Sequence, residues 1–269
     1  MVDKSKVYFW RYSAFSRGPR LLADPNALGV KVIKFDESKF QGAPNKLVIN
    51  WGSKETSEEV SKCQVINKPN LVSVNSDKLE FFKRMKQNEG VRIPEFTTDK
   101  ETAFAWVAEG KEVLGRTLLN SSGGKGIVFM DDIQKFSSSK LWTVYKKKKE
   151  EYRVHIVRGS IILVQKKVLR QTDEAGNAIV KDNIDFRIRN HANGFIFQRE
   201  NLNPPADVIT QAQRAFTVTG LDFGAFDIIY NEHEDQAYVL EVNTAPGIEG
   251  STVQDYTAAF KEHFSITGY

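Results

Sequence analysis

Apolar residues fall in short blocks along most of the chain, and the spacing inside the blocks switches between two and three to four residues. Residues 7–10 read as a strand, 17–29, with Leu21, Leu22 and Leu28, as a short helix or turn, and 30–35 and 46–50 as two more strands. Residues 65–74 read as extended and broken by Pro69. Asn75-Ser-Asp-Lys then starts a helix that Ser76 or Asp77 caps, with Leu79, Phe82, Met85 and Lys86 at helical spacing and Gly90 as its end. A second helix is expected over 100–109, and strands over 112–117 and 126–130 flank a Gly/Ser loop. Strands follow at 141–147, 152–157 and 160–168, the last two joined by the turn Arg158-Gly159. The polar stretch 173–182 reads as a mobile loop. An amphipathic helix over 206–219, a hairpin of strands 221–230 and 236–242, and a helix over 254–264 complete the chain. This mixture predicts an α/β or α+β fold.

Composition narrows the function classes. The net charge of +4 suits an anionic small molecule and is too weak alone to argue for nucleic acid. The single cysteine, Cys63, excludes an internal disulfide framework and fits a reducing cytoplasm, the expected location. No signal-peptide core is read at the start, and no apolar run reaches the ~18 residues of a membrane helix.

Chemistry gathers in three places. Asp227 and Glu241 sit in otherwise apolar strands, where a carboxylate needs a cation or donors to offset its desolvation. A hairpin folded about Glu234 sets positions 227 and 241 opposite each other, and Asn243 shares a face with Glu241. Two carboxylates and an amide oxygen then converge as hard ligands of the kind magnesium takes. Upstream, Arg116 precedes Ser121-Ser-Gly-Gly-Lys-Gly, whose glycines (Gly123, Gly124, Gly126) let backbone N–H groups approach phosphate; the spacing is neither a Walker A loop nor a dinucleotide fingerprint. Lys146-Lys-Lys-Lys-Glu-Glu-Tyr-Arg is strongly basic, but alternate lysines of a strand face opposite ways.

Together these motifs resemble the ATP-grasp ligases, especially the ribosomal-protein glutamate ligases and the D-alanine–D-alanine ligases. Leu240-Glu-Val-Asn-Thr-Ala-Pro-Gly-Ile-Glu-Gly resembles their metal strand, and Phe226-Asp227 their other metal carboxylate. Glu150-Glu-Tyr-Arg-Val-His resembles the strand after the adenine hinge, and Asn75-Ser-Asp-Lys-Leu the start of the first ATP-lobe helix. Asp185-Phe-Arg-Ile-Arg-Asn-His-Ala-Asn-Gly resembles the stretch that handles the acyl phosphate. The matches run in the family's order from 75 to 252.

The resemblance implies two α+β lobes clamping ATP behind a small α/β N-terminal lobe: 1–75, then 76–140 with the glycine loop, then 141–269 with the metal hairpin. It implies an ATP-dependent ligation of a carboxylate to an amine through an acyl phosphate, with ATP and two magnesium ions, manganese able to replace them. Asp227, Glu241 and Asn243 would hold the metals, and Lys78 and Arg116 the phosphates. Tyr145, Lys146 and Lys147 would contact adenine and Glu151 the ribose. Arg187 and Asn190, with Arg153 nearby, would stabilise the acyl phosphate, Arg187 as a cation not committed to the nucleotide. The substrates would be small molecules or peptides, with no membrane and no nucleic acid as partner. Arg116 stands where most of the family has lysine, which changes a point charge for a fork. Competing readings are a ligase acting on a protein or peptide terminus, a nucleotide-binding module without turnover, and a nucleic-acid-associated protein using the lysine run. Glu151 and Arg153, two apart on one strand face, could instead pair with neighbours across the sheet. His155 and His191 have no role in the ligase reaction.

Overall fold

A computed structural model describes all residues except 122–123, 149, 173–175, 178, 180–183 and 269. The chain begins with a four-stranded parallel sheet, in the order Lys31–Val32, Val7–Arg11, Leu47–Trp51, Gln64–Ile66. Every residue of Leu47–Trp51 is buried, as expected for a parallel strand covered on both faces. One face packs Trp10, Ile33, Val48 and Val60 together. The other packs Val7, Phe9, Ile49 and Trp51 against Tyr256 and Phe260 of the last helix, Ser251–His263.

Local expectations change at several points in this region. Only Lys31–Val32 of the 30–35 block forms a strand. The 65–74 block is extended only over Gln64–Ile66, and Pro69 opens a helix, Pro69–Ser76, instead of interrupting a strand. Proline's missing N–H costs nothing at a first helical position, and its fixed φ suits the turn. The next helix, Lys78–Lys86, is capped by Asp77, whose carboxylate accepts from the N–H groups of Leu79 and Glu80, and it stops four residues short of Gly90. The expected lobe boundary at 75/76 thus falls at the end of Pro69–Ser76, whose Val72 packs in the central core.

A second, antiparallel sheet has the order Phe96–Thr97, Leu141–Val144, Val113–Arg116, Ile127–Val128. Helix Lys100–Ala108 and the short helix Ile133–Ser137, which the apolar pattern does not reveal, cover it through Ala103 and Phe136. The largest sheet is five-stranded and antiparallel: Phe195–Gln198, Ser160–Leu169, Glu150–Val157, Phe223–Asn231, Gln236–Asn243. Helix Ala206–Thr219 lies on one face through Val208, Ala212 and Ala215, against Val154, Ile156, Phe226 and Ile228. The last helix covers one end of the opposite face, at Val157, Phe223 and His155, and the rest of that face is open to a cavity.

A bulge decides which residues reach that face. Asp227 pairs with Glu241 as the hairpin reading expects, but Ile228 pairs with Val239, so Leu240 has no cross-strand partner. In an unbulged strand of the same sequence, strict alternation would place Glu241 on the same face as Val239 and Ala237, both in the core. The bulge re-phases the strand. Val239 and Val242 both reach the core, while Leu240, Glu241 and Asn243 line the open face.

Candidate active site

The open face of the large sheet forms the floor of a cavity of about 1000 Å³, roofed by the second sheet and bordered by the N-terminal one. Cross-strand register fixes the polar floor. Arg153 sits opposite Asp227 on one side and Gln165 on the other, and Asp227 opposite Glu241. Arg153 grips Asp227 with two bonds, Nε to Oδ1 at 2.6 Å and Nη2 to Oδ2 at 2.8 Å. Lys167 stands 3.7 Å from the same carboxylate and donates to Glu151, which Lys148 also approaches at 3.0 Å. Burial raises the Asp227 pKa, but the Arg153 and Lys167 charges outweigh it and bring it down to about 2. Burial pushes the Glu151 carboxyl up as well, and there Lys167 and Lys148 together hold it below its ordinary value. The cross-sheet alternative for Glu151 and Arg153 is therefore what the side chains do.

Lys78, expected either as a phosphate ligand or as an exposed first-turn residue, is buried. Its ammonium lies 3.1 Å from Glu241 Oε2 and donates to the Ser121 carbonyl in the glycine loop. Arg116 enters from the roof strand; its Nε is buried with no hydrogen-bond partner among the described residues, and desolvation lowers its pKa while Glu241 acts the other way. Lys78, Arg116, Lys148, Arg153 and Lys167 thus line the cavity with Glu151, Asp227 and Glu241, a surplus of positive charge that suits a polyanion.

The expected strand 141–147 ends at Val144, so the lysine run lies outside it, yet its members still point different ways. Lys146 lines the cavity wall and pairs with Glu234 at 3.2 Å. Lys147 is exposed and is not among the lining residues, whereas Lys148 is half-buried and lines the floor. Tyr145 lines the cavity, but its amide donates to the Glu112 carbonyl. Gly124 lines it too, with φ at +80° and its Cα facing Ile188 and Asn190 closely enough that a Cβ would lie 2.8 Å from Ile188 Cγ2. Gly126 has φ at +76° beside Thr117 and Leu118. Gly123 lies outside the described residues, as does most of 173–182.

Arg187, expected as a cation not committed to the nucleotide, has carboxylates of the protein itself as partners. It binds Asp185 through two nitrogens, approaches Glu112 at 3.5 Å and stacks on Phe129 with its guanidinium carbon 3.9 Å from the ring centre. That pairing with Asp185 raises its pKa. Local carboxylates of a polar loop, invisible to motif reading, are the reason. Asn190 accepts from the Asn193 N–H at 2.9 Å and lines the cavity beside the glycine loop. Sequence reasoning missed Lys148, Lys167 and Gln165; the available signal was the polar block Gln165-Lys-Lys167 set between apolar residues of one strand, whose first and last members share a face.

His155 shares the face of Arg153 but is buried beside the floor, under the last helix. Its Nε2–H donates to Gln165 Oε1 and its Nδ1 accepts from the Tyr256 hydroxyl, both at 2.9 Å. Burial pushes its pKa down to about 4 against the opposing bond to Gln165.

Asp227 lies opposite Glu241 across the bulged pair, Asn243 follows two residues on opposite Ala225, all three line the cavity, and the buried Asn243 Nδ2 has no hydrogen-bond partner among the described residues. Among the same residues no three His, Cys, Asp or Glu side chains gather as a metal cluster. The set is therefore two carboxylates and an amide, a hard-oxygen arrangement that fits magnesium when phosphate and water fill the other positions. Asp227 keeps lone pairs beyond the two given to Arg153.

The fold is similar to those of several solved ligases, among them an ATP-grasp ligase. N5-Carboxyaminoimidazole synthetase from Staphylococcus aureus, solved with ADP, superposes with a TM-score of 0.70 at 12% identity, over 100% of this chain and 79% of that one. D-Alanine–D-alanine ligase from Bacillus anthracis gives 0.63 at 13% identity, over 96% and 92%. The ATP-grasp ligase PsnB, solved with a phosphomimetic variant of its minimal precursor, Mg and ADP, gives 0.60 at 15% identity, over 97% and 100%. No protein-family model and no curated protein matches the sequence. No helix among the described residues is long and apolar enough to cross a membrane.

Proposed function

We propose that the protein is an ATP-dependent ligase that joins a carboxylate to an amine, releasing ADP and phosphate. The observation that carries this reading is the row Lys78–Glu241–Asp227–Arg153 on the floor of a cavity of about 1000 Å³, in a fold shared with nucleotide-bound ligases. Lys78 and Arg116 would hold the phosphates, the wall from Tyr145 to Lys148 and Leu240 the base, and Glu151 the ribose. A carboxylate oxygen of the substrate attacks the γ-phosphorus, the bond to ADP breaks, and an acyl phosphate forms. The amine then displaces phosphate, loses a proton and becomes an amide. Asp227, Glu241 and Asn243 would hold magnesium, which supplies charge neutralisation for the triphosphate.

Between the two arginines proposed for the acyl phosphate, energetics favour Arg187. The Arg153–Asp227 pair is buried, and breaking such a pair costs about 3–5 kcal/mol. The Arg187–Asp185 pair is more than a third exposed on both sides and contributes about 0–1 kcal/mol, so exchanging it for a transferring phosphoryl is cheap. Asn190 would donate beside it. The three lobes 1–75, 76–140 and 141–269 would act as the units that close on ATP.

A second reading makes the substrate a peptide or protein terminus. Its support is the cavity mouth, where Tyr12 is 59% and Phe15 87% exposed, together with the precursor bound to PsnB. A phosphate-release screen with ATP, magnesium and panels of amino-acid pairs and short peptides tests both. Calorimetry with a non-hydrolysable ATP analogue runs alongside it. Release that disappears in Glu241→Gln, and tighter analogue binding with magnesium than with chelator, are expected. Equal affinity in chelator and no release with any pair would sink the ligase reading.

A further inference from the structure

The N-terminal sheet carries a buried charge that the ligase site does not use. Arg11, the last residue of Val7–Arg11, is only 9% exposed. Its Nε and Nη1 are buried without a hydrogen-bond partner, and among the described residues it forms no ion pair. Desolvation lowers its pKa, and the one charge that adds to this is Arg20, on the helix Arg17–Ala23; no carboxylate acts against them. Its guanidinium lies 5.7 Å from the centre of the Phe35 ring, which is 39% exposed and covers it from one side. A cation–π contact offsets part of the cost of an unpaired buried cation but satisfies no N–H.

The position in the fold is equally specific. The chain leaves Val7–Arg11 for a neighbour on one side, Lys31–Val32, and returns to the other side as Leu47–Trp51. Arg11 pairs with Trp51 at the carboxyl ends of these two parallel strands. In open parallel sheets the crevice outside the strand ends at such a reversal is where ligands bind. The hydroxyl of Ser16, which precedes the same helix as its N-cap, is also buried and unpartnered among the described residues, and it caps no backbone N–H. Arg11 and Arg20 do not line the large cavity, whereas Ser16 and Trp51 do, so the cluster borders that cavity without sharing the charged residues of its floor.

We propose that Arg11 and Arg20 form an oxyanion-binding site at the carboxyl end of the N-terminal sheet, taking a carboxylate or phosphate group. The planar guanidinium of Arg11 offers a fork of donors, Nη2 together with either Nε or Nη1, the geometry that either oxyanion accepts. Arg20, anchored by its bond to the Ala14 carbonyl at 2.9 Å, supplies the second charge. The site does not depend on the ligase reading, because it contains none of the residues of the nucleotide floor.

The test uses the full chain without nucleotide. The arginine Nε–H resonances are followed while inorganic phosphate or acetate is added, with chloride at matched ionic strength as control. The Arg11 resonance is expected to move saturably with at least one of the two, which also says which group the site prefers. Arg11→Met should weaken the saturable binding at this site at least tenfold, the loss expected for one charge-assisted bond, and Arg20→Met should weaken it too. Arg11→Met should also melt higher than the wild type in chloride and lose the extra stabilisation that phosphate or acetate gives, a readout that holds whatever binds in the nucleotide cavity. A linear, unsaturable drift of Arg11 identical to that in chloride, or equal anion stabilisation of wild type and Arg11→Met, would overturn the site.

Discussion

Acidification should destabilise this protein through one residue, His155. The ring is fully buried, bonded at both nitrogens and neutral, with a folded-state pKa of about 4 against 6.5 for an ordinary histidine. Because the folded pKa is depressed, the unfolded chain binds this proton more readily. The contribution is complete above pH 6.5 and is lost as pH falls from there towards 4. A difference of about 2.5 units corresponds to about 3 kcal/mol in total, of which about 2 kcal/mol is gone by pH 5. Carboxylates titrate in the lower part of this window, so the measurement has to be a difference. Urea unfolding of wild type and His155→Gln at intervals from pH 8 to 4.5 supplies it. The variant is expected to start less stable at pH 8, since Gln165 and Tyr256 lose their fitted partner, and to close the gap by about 2 kcal/mol at pH 5. A gap that stays constant with pH would show that His155 is not held neutral in the fold, and the argument from its burial would fail.

The cavity supports three more expected outcomes. Lys78→Met should fold, because methionine fills the stem's volume, but bind a non-hydrolysable ATP analogue about tenfold or more weakly by calorimetry, the loss of one charge-assisted contact; unchanged affinity would leave Lys78 as a partner of Glu241 alone. Arg187→Ala should keep analogue affinity and lose roughly a hundredfold or more in single-turnover product formation; lost affinity with intact turnover at saturating nucleotide would move Arg187 to the nucleotide site. Gly52→Ala should lower the melting temperature by several degrees, as expected for a loss of about 1–3 kcal/mol, because φ is +76° there and the new Cβ would lie 2.5 Å from Ala245 Cβ; a neutral result in differential scanning calorimetry would show that the loop holding Ala245 yields freely.

The long elements are legible in the sequence because their spacing is set by burial. Ala206–Thr219 matches its expected bounds, whereas the opposition of Asp227 and Glu241, expected from the turn alone, is set by the bulge: the register that leaves the turn, Asn231 opposite Gln236 to Ile228 opposite Val239, would otherwise bring Asp227 to Leu240. What stays hidden depends on partners distant in the chain. The pairing of Arg153 with Asp227 and of Lys167 with Glu151 exists only once three strands are aligned, and no local pattern encodes which strand lies next to which. The partner of Arg187, Asp185, belongs to the same motif and does not stand out in the sequence as a carboxylate that would pair with it. Pro69 is legible as a breaker but not as a helix opener, since the two uses differ only in the conformation of the residues after the proline.

The bulge at Leu240 separates two properties that a regular strand would tie together. Leu240 has no partner across the ladder yet faces the cavity, while its neighbour Glu241 stays opposite Asp227. Deleting residue 240 would restore regular pairing and still leave the two carboxylates opposed. The acid pair and the apolar wall beside it are therefore independently variable. For anyone redesigning the cavity, position 240 is a dial that turns without moving the charges next to it.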